Sequence, residues 1–507
     1  MTSTSDNRRI AKNTIYLYIR TIVVLIVSLY TSRVVLQVLG AEDLGIYNVV
    51  GGIVALMSFL QAAQTKATSR FITYELGKRS SEEKLQKVFS VCMTIHVGIA
   101  LIGFILSETV GLCIITNWTD IPVERQTAAM WAYQFAIIVF CIQLIRVPYD
   151  AVVVAHERMS MFAYMSILEA VLQLGIVVLL KTASGDSLIY YAASVAFVAL
   201  VVCLCYYVYV RVKFQSYVFK PVWDKEYSKS VLSFSGWTLL GSSANTATQQ
   251  GTNLLMNNFV GLVANAALGF AGQVNIAVSK FVNGFSTAFT PQVIKLYAQK
   301  DYIALHALIT RASKYSFALC YLMALPLIVN MQFILTLWLG DNVPMYTKEF
   351  CQLILVCTIV DATTGVYNTT ITATGHIKKY QMAISLSFFL DLACCSILLL
   401  CQINPVLVFS SRILTRGLIN MGIGLHYIKK YVSFSVPVYI NEVIVKIGYT
   451  ILLTALPVYW VFCETNGWPR LISTSLLSFV LISGCVYALI MTRSERTSIM
   501  NKLKSRF

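Results

Sequence analysis

Residues 187–210 read SLIYYAASVAFVALVVCLCYYVYV, and no charged side chain interrupts them. A helix needs about 20 consecutive apolar residues to cross the hydrocarbon core of a bilayer. The stretch is long enough, and Arg211 and Lys213 follow it directly, as basic residues do at the cytoplasmic end of a membrane span. The segment therefore predicts a transmembrane helix.

The composition extends this prediction to the whole chain. Of the 507 residues, 57% are hydrophobic and 12% are charged, and the mean hydropathy is +0.70. Soluble domains carry about 25% charged residues. We therefore predict an all-α polytopic membrane protein with about fourteen transmembrane helices. The approximate spans are 13–38, 45–65, 88–110, 127–147, 160–181, 187–210, 231–256, 262–286, 312–337, 349–373, 380–402, 404–427, 436–461 and 471–491.

Lysine and arginine are distributed unevenly around these spans. With the N-terminus inside, the inside segments hold about seven times as many of them as the outside loops. This asymmetry predicts that both termini are cytoplasmic, and it explains the net charge of +16 without a nucleic-acid partner. The apolar run after the basic start is too long for a cleavable signal peptide, so we expect the first helix to be retained.

Two parts of the sequence resemble each other at an offset of about 220 residues. One of the matching pairs is AHER at 155–158 and ATGH at 373–376. The repeat predicts an N-terminal lobe of six helices at 1–228 and a C-terminal lobe of six at 229–432. Helices 13 and 14 and a cytoplasmic tail then follow at 433–507. The offset contains an even number of helices, so both repeats keep one orientation, as in transporters that bind substrate between two lobes.

Two basic residues lie well inside predicted spans, where a charge is costly. Arg20 on helix 1 and Lys280 on helix 8 both lie about 10 Å from the cytoplasmic end, at 1.5 Å per residue. Such cations persist when they face protein or a water-filled cavity, and two of them would attract a diphosphate. Snorkelling to the headgroups and an internal ion pair are the alternatives. We predict that both cations bind substrate.

Polar side chains form stripes on helices 7 and 8. Asn245, Gln249 and Asn253 recur every four residues on helix 7, and Gln273 shares a face of helix 8 with Lys280. Amides facing lipid would lack partners, so they must face other helices or water. We predict that they line the substrate path, with helix–helix packing as the alternative.

Two acids, Asp361 and Asp391, also lie within predicted spans and are weaker candidates for coupling a proton or a sodium ion. The thirteen cysteines and five histidines show no metal-ligand spacing, so we predict no metal and no cofactor. No GxxxxGK[ST] motif occurs, and the chain is not expected to hydrolyse ATP.

Several stretches resemble the Wzx-type O-antigen and capsule polysaccharide flippases of the multidrug/oligosaccharidyl-lipid/polysaccharide (MOP) exporter superfamily. They are AKNT at 11–14, RVVLQVLGAEDLGIY at 33–47, IPVER at 121–125, VPY at 147–149 with AHER at 155–158, and LWLG at 337–340. Their order and spacing cover essentially the whole chain.

The resemblance implies alternating access between two six-helix lobes in a bacterial inner membrane. It also implies a substrate, an undecaprenyl-diphosphate-linked oligosaccharide moved from the cytoplasmic to the periplasmic leaflet for lipopolysaccharide or capsule synthesis. Membrane lipid, a polysaccharide polymerase and glycosyltransferases are the partners expected with such a role. Flippases of this kind tend to have a cationic cavity, which suits Arg20 and Lys280.

Three alternatives remain open. A MATE-type multidrug exporter of the same fold would need acidic residues in its first lobe to bind cationic drugs. Helix 1, however, carries Arg20 and no carboxylate. A lipid II flippase would handle a related lipid-linked sugar. An enzyme acting on lipid-linked sugars would need a sizeable external loop, but the first external turn spans only about Gly40 to Leu44. We therefore predict a transporter and no enzyme.

Overall fold

The structure is a computed structural model that describes residues 4–55, 58–118, 121–180, 185–340, 343–491 and 495–497, with the side chains of most of them. Within these ranges the chain forms helices joined by short turns, and none of the described residues lies in a strand. The predicted all-α fold is confirmed.

Eighteen helices follow one another along the described chain. Short π-helical turns connect α3 to α4, α14 to α15 and α16 to α17, and another follows α18. The helices are Thr4–Ala55 (α1), Ser58–Gly77 (α2), Glu82–Leu106 (α3), Leu112–Trp118 (α4), Gln126–Ala155 (α5), Met159–Leu179 (α6), Ser187–Lys213 (α7), Lys225–Phe259 (α8), Leu262–Ala298 (α9), Tyr302–Val329 (α10), Met331–Leu339 (α11), Thr347–Thr374 (α12), Lys378–Leu400 (α13), Pro405–Arg412 (α14), Ile419–Val432 (α15), Val436–Tyr439 (α16), Lys446–Glu464 (α17) and Gly467–Cys485 (α18).

Ten helical segments in the described chain are long and apolar enough to cross a membrane, which makes this a multi-pass membrane protein. They coincide with predicted spans 3 to 6 and 9 to 14. The other four predicted spans fall in α1, α2, α8 and α9, which are helical but are not among the ten. The total of fourteen spans therefore stays a prediction.

Helix α1 contains a sharp break at Gly40, where φ is 74° and ψ is 177°. Glycine adopts this positive φ without the steric penalty that a Cβ would bring. The break coincides with the start of the predicted first outer turn. It separates a first half, which contains the first predicted span, from a second half that ends at Ala55.

The chain divides into two compact units. Unit 1 comprises residues 1–242 and 290–300, and unit 2 comprises residues 243–289 and 301–507. Two of the three boundaries therefore fall inside helices α8 and α9, and the third falls in the turn between α9 and α10. The predicted lobes at 1–228 and 229–432 stay a prediction.

Each unit has its own apolar core. In unit 1, Val50, Tyr133 and Leu144 belong to a buried cluster drawn from α1, α3, α5 and α7. In unit 2, one cluster centres on α12 and neighbouring helices, and another joins α10 to α17 and α18. These side chains exclude lipid and water and hold the polar groups described below in fixed positions.

Polar side chains fix the helix ends outside the membrane. Asp186 caps α7 by accepting from the backbone N–H groups of Leu188 and Ile189 at 3.0 and 3.2 Å. Arg125 donates to both Asp186 and Asp43, so one guanidinium joins the starts of α5 and α7 to the residues after Gly40. At the opposite end, Lys87 Nζ lies 2.7 Å from Asp224 Oδ2, and this hydrogen bond lowers the pKa of Asp224.

Candidate functional site

A cavity of unit 1 has a volume of about 640 Å³ and follows one face of α1. The α1 residues that line it are spaced as a single helical face requires. They extend over fifteen positions, or about 22 Å at 1.5 Å per residue. This length is most of the thickness of a bilayer's hydrocarbon core, which is about 30 Å. Its α1 wall consists of Arg20, Val24, Val27, Ser28, Thr31 and Val35.

Three other helices and the second half of α1 complete the wall. Helix α5 contributes Arg146 and Asp150, and α7 contributes Tyr191 and Tyr206. Tyr47 closes the wall from the part of α1 beyond Gly40. The α6 residues, which again share one helical face, are Phe162, Ser166, Glu169, Ala170 and Gln173. We call this the charged cavity because four of its lining residues are ionisable acids or bases of opposite sign.

Arg146 pairs with both carboxylates of the charged cavity, and its single positive charge balances one of them. Its Nη1 donates to Glu169 Oε2 at 3.1 Å, and its Nε lies 3.4 Å from Asp150 Oδ2. Its guanidinium carbon also lies 5.8 Å from the Tyr206 ring centroid. Removing charges from water is costly unless they are paired, so this network is what allows two acids to lie in membrane helices.

Arg20 is the cation of the cavity that has no acidic partner. Its guanidinium carbon lies 4.8 Å from the ring centroid of Phe162, a cation–π contact. Among the described residues it forms no ion pair, and its buried Nε has no hydrogen-bond acceptor. With Arg146 occupied by two carboxylates, Arg20 is the group available to bind an anion entering the cavity.

The predicted site residues of unit 2 are placed differently. Gln249 on α8 and Gln273 and Lys280 on α9 are not covered by protein. Asn253 Nδ2 donates to Gln250 Oε1 at 3.3 Å, and Asn245 Oδ1 accepts from Arg416 Nη2 at 2.5 Å. The structure thus joins Asn245 to a cation. No hydrogen bond between described residues joins any two of the predicted unit 2 binding residues.

Asp391, one of the two acids suggested for ion coupling, lies in a closed network. Its side chain is 0% exposed. Thr415 Oγ1 donates to Oδ1 at 2.5 Å, and Arg412 Nε donates to Oδ2 at 3.2 Å. Both carboxylate oxygens are therefore occupied by protein. Asp361 on α12 forms no ion pair among the described residues, and the nearest charges acting on it are those of Arg416 and Arg412.

Sequence reasoning missed Arg146 and Asp150. The predicted span ended at residue 147, so Asp150 fell outside it, and Arg146 was not weighed as a membrane charge. The available signal was the spacing: Arg146 and Asp150 are four residues apart on one helix, which brings opposite charges together. Glu169 lies within the predicted span 160–181, but its partner Arg146 lies on another helix and could not be assigned from the sequence.

The charged cavity is equipped for binding. It offers guanidinium, hydroxyl, amide and aromatic groups, and its lining residues include no histidine and no cysteine. Within the described part of the chain, no group of three His, Cys, Asp or Glu side chains could hold a metal ion.

Comparisons with known proteins identify the family and the fold. The sequence model of a family described as "Polysaccharide biosynthesis protein" matches residues 10–297, more than half of the chain. No curated protein matches the chain.

The chain is also similar in structure to solved transporters. A MATE transporter in a straight conformation superposes with a TM-score of 0.72 at 13% identity, covering 84% of this chain and 96% of that one. A MOP superfamily transporter from Pyrococcus furiosus, with a binding pocket of reversed polarity, gives 0.71 at 14% identity over 84% and 96%. A multidrug resistance MATE transporter in an outward-facing conformation gives 0.69 at 13% identity, again over 84% and 96%.

Proposed function

Because the chain belongs to the polysaccharide biosynthesis protein family and has the fold of MOP superfamily membrane transporters, we propose that it is a Wzx-type lipid-linked oligosaccharide flippase. It moves undecaprenyl-diphosphate-linked repeat units from the cytoplasmic to the periplasmic leaflet for O-antigen or capsule synthesis. Its membrane is the bacterial inner membrane, with both termini cytoplasmic. Transport, and no covalent chemistry, is the proposed activity.

The observation that carries the proposal is that Arg20 lines the charged cavity without forming an ion pair among the described residues. Although the charges of Asp150 and Glu169 act on Arg20 from the same cavity, neither carboxylate pairs with it, so its guanidinium can still donate to an anion. A diphosphate can accept charge-assisted hydrogen bonds from it, and these are stronger in a cavity of low dielectric constant than in water. The unpaired cation therefore favours a phosphate-bearing substrate.

The remaining lining of the charged cavity suits the rest of such a substrate. Ser28, Thr31 and Ser166 offer hydroxyl groups, and Gln173 offers an amide. Hydroxyl and amide groups of this kind bind sugar hydroxyls without adding net charge. A length of about 22 Å along α1 accommodates a headgroup that changes depth during transport.

Unit 2 contributes the second part of the proposed substrate path. Lys280 supplies a cation, and Asn245, Gln249, Asn253 and Gln273 supply amides. Alternating access by the two units would move the headgroup past both sets of groups. For energy coupling, the geometry favours Asp361 over Asp391, because both oxygens of Asp391 are already bound. A polymerase and glycosyltransferases are the proposed protein partners.

Reconstituted protein tests the proposal. Proteoliposomes would contain undecaprenyl-diphosphate-linked glucosamine with an NBD fluorophore on the sugar, and dithionite would quench the outer leaflet. The wild type should flip the probe, Arg20→Ala should slow flipping about 10- to 100-fold, and Arg20→Lys should retain part of the rate. Arg211→Ala, which removes an exposed arginine outside the cavity, is the matched control. Flipping by Arg20→Ala at the wild-type rate would refute the proposed role.

A multidrug exporter is the second candidate because the charged cavity also contains Asp150 and Glu169. Asp150 Oδ1 is buried and has no hydrogen-bond partner among the described residues. A cationic drug could compete with Arg146 for these acids, next to the aromatic rings of Phe162 and Tyr206. Uptake of ethidium into the same proteoliposomes, abolished by Asp150→Asn and unaffected by Arg20→Ala, would establish this alternative. Equal transport of labelled lipid II would instead favour a cell-wall flippase.

A further inference from the structure

A second, smaller cavity lies in unit 1 beside the charged cavity. Its volume is about 230 Å³, and residues of α1 beyond Gly40, α2, α5 and α7 line it. Tyr47 lines both cavities, and its ring packs edge-on against Tyr191 with centroids 4.9 Å apart. The two cavities therefore meet at one aromatic side chain.

Two amides face this smaller cavity, which we call the amide cavity. They belong to Gln61 on α2 and Gln143 on α5, and both side chains are half-buried. Neither amide forms a hydrogen bond with another described residue. Each carries two N–H donors and a carbonyl acceptor, so the cavity has unused hydrogen-bonding capacity on two of its walls.

The unused hydrogen-bonding groups of Gln61 and Gln143 matter because of where these residues lie along their helices. Gln143 lies near the middle of the membrane-crossing segment Val123–Ala155, about 18 Å before its end, whereas Gln61 lies three residues after the start of α2. At the depth of Gln143 lipid supplies no hydrogen bonds, and an unsatisfied amide costs free energy. The contents of the cavity, water or a ligand, must satisfy this amide.

The rest of the lining narrows the ligand class. None of the residues lining the amide cavity is charged, while Tyr47 and Phe140 present aromatic rings. A neutral ligand with several hydroxyl groups and an apolar face fits this combination. The volume is below the range of about 300–1,000 Å³ typical of complete small-molecule sites, so the cavity takes only part of a ligand.

We propose that the amide cavity is a saccharide subsite that binds the sugar ring nearest the diphosphate, with Gln61 and Gln143 hydrogen-bonded to its hydroxyl groups. Tyr47, at the junction of the two cavities, packs against the ring. The proposal rests on the proposed function, in which Arg20 of the charged cavity binds the diphosphate. It assigns discrimination between sugars to the amide cavity and affinity for the phosphate to the charged cavity.

Two ligands separate these roles: undecaprenyl diphosphate, and the same lipid bearing one N-acetylglucosamine. Native mass spectrometry of the purified full chain would give the Kd of each. The wild type should bind the sugar-bearing lipid more tightly. Gln61→Leu and Gln143→Leu should each weaken its binding about fivefold, the cost of a lost hydrogen bond, and leave the Kd of the bare diphosphate within about twofold. Arg20→Ala should weaken both ligands equally.

Gln134→Leu is the matched control, because Gln134 lies on α5 but lines neither cavity. Val139→Phe fills the amide cavity without removing an amide and should mimic the glutamine variants, which guards against misfolding of any one of them. If all three cavity variants leave the ratio of the two Kd values at its wild-type level, or weaken both ligands equally, the subsite is refuted. If the wild type binds neither lipid, the proposed function itself is wrong.

Discussion

Arg146 in unit 1 and Arg412 in unit 2 both pair with carboxylates inside membrane helices, but their surroundings differ. Arg146 and its two acids line a cavity of about 640 Å³ and leave Arg20 without an acid. Arg412 and Asp391 are 9% and 0% exposed, and Thr415 binds the remaining carboxylate oxygen. The same residue types therefore maintain an open binding site in one unit and a closed packing contact in the other.

This difference distinguishes intramembrane charges that stabilise the fold from those that are available to bind a ligand. A charge that is paired and enclosed contributes to the folded state, and removing its partner leaves an uncompensated charge. A charge that faces a cavity without a partner contributes to binding. Replacing it should therefore cost little stability. Substitutions in the two units can test this division.

Asp391→Ala should destabilise the protein most. It leaves the buried Arg412 guanidinium without its carboxylate, which costs about 3–5 kcal/mol when one partner of a buried pair is removed. Thermal unfolding of the detergent-solubilised protein would measure the loss. Lys87→Ala is the control, because it removes a largely exposed pair with Asp224, whose loss should change stability little. An unfolding temperature of Asp391→Ala equal to that of the control would contradict the comparison.

Arg146→Ala should leave the charged cavity with one net negative charge, because Asp150 and Glu169 then face Arg20 alone. Asp150 and Glu169 lose their cation and can turn to Arg20, so an anionic headgroup loses its binding group. We expect flipping of the NBD-labelled lipid to fall about 10- to 100-fold. The double variant Arg146→Ala with Glu169→Gln removes one of the excess negative charges and should recover part of the rate. No recovery in the double variant would show that Arg146 acts through something other than charge balance.

Lys280→Ala tests whether unit 2 adds a second cation to the substrate path. Lys280 is not covered by protein and forms no ion pair among the described residues, so stability should not change. Flipping should slow about fivefold if the ammonium binds the diphosphate transiently. Lys429→Ala, at an exposed lysine near the end of α15, is the control. Equal rates for both variants would remove Lys280 from the proposed path.

Arg125→Ala should have the smallest effect. Arg125, Asp43 and Asp186 are 27%, 17% and 29% exposed, and pairs at such positions contribute about 1 kcal/mol or less. We expect a small decrease in unfolding temperature that shrinks further in high salt, since salt screens such pairs. Transport should be unchanged. A large loss of flipping would mean that this outer cluster takes part in the transport cycle.

The sequence predicted the helices well because membrane spanning is a local property. Length and apolarity over about 20 residues decide it, and ten of the predicted spans recur as apolar helices in the described chain. Even the break after the first span was visible, since Gly40 is a residue that tolerates positive φ. The more polar helices α8 and α9 were also located, although their membrane placement remains a prediction.

The site was only partly visible. Arg20 was identified because an arginine well inside an apolar helix is conspicuous, and it does line a cavity. Arg146 was overlooked, and the amide cavity was not foreseen, because Gln61 and Gln143 are unremarkable in sequence. Their importance comes from facing the same empty space, which four separate stretches of chain enclose.

From the sequence alone it follows that this chain crosses the membrane many times and that a few charged residues lie within the membrane. Those facts follow from the transfer of each segment from water to lipid, which depends on that segment alone. Which of these charges form ion pairs depends on the tertiary structure. Glu169 pairs with an arginine on α5 and Asp391 with an arginine on α14, whereas Arg20 forms no ion pair among the described residues. Pairing requires two helix faces to meet at the same depth, and that depends on how the whole bundle packs.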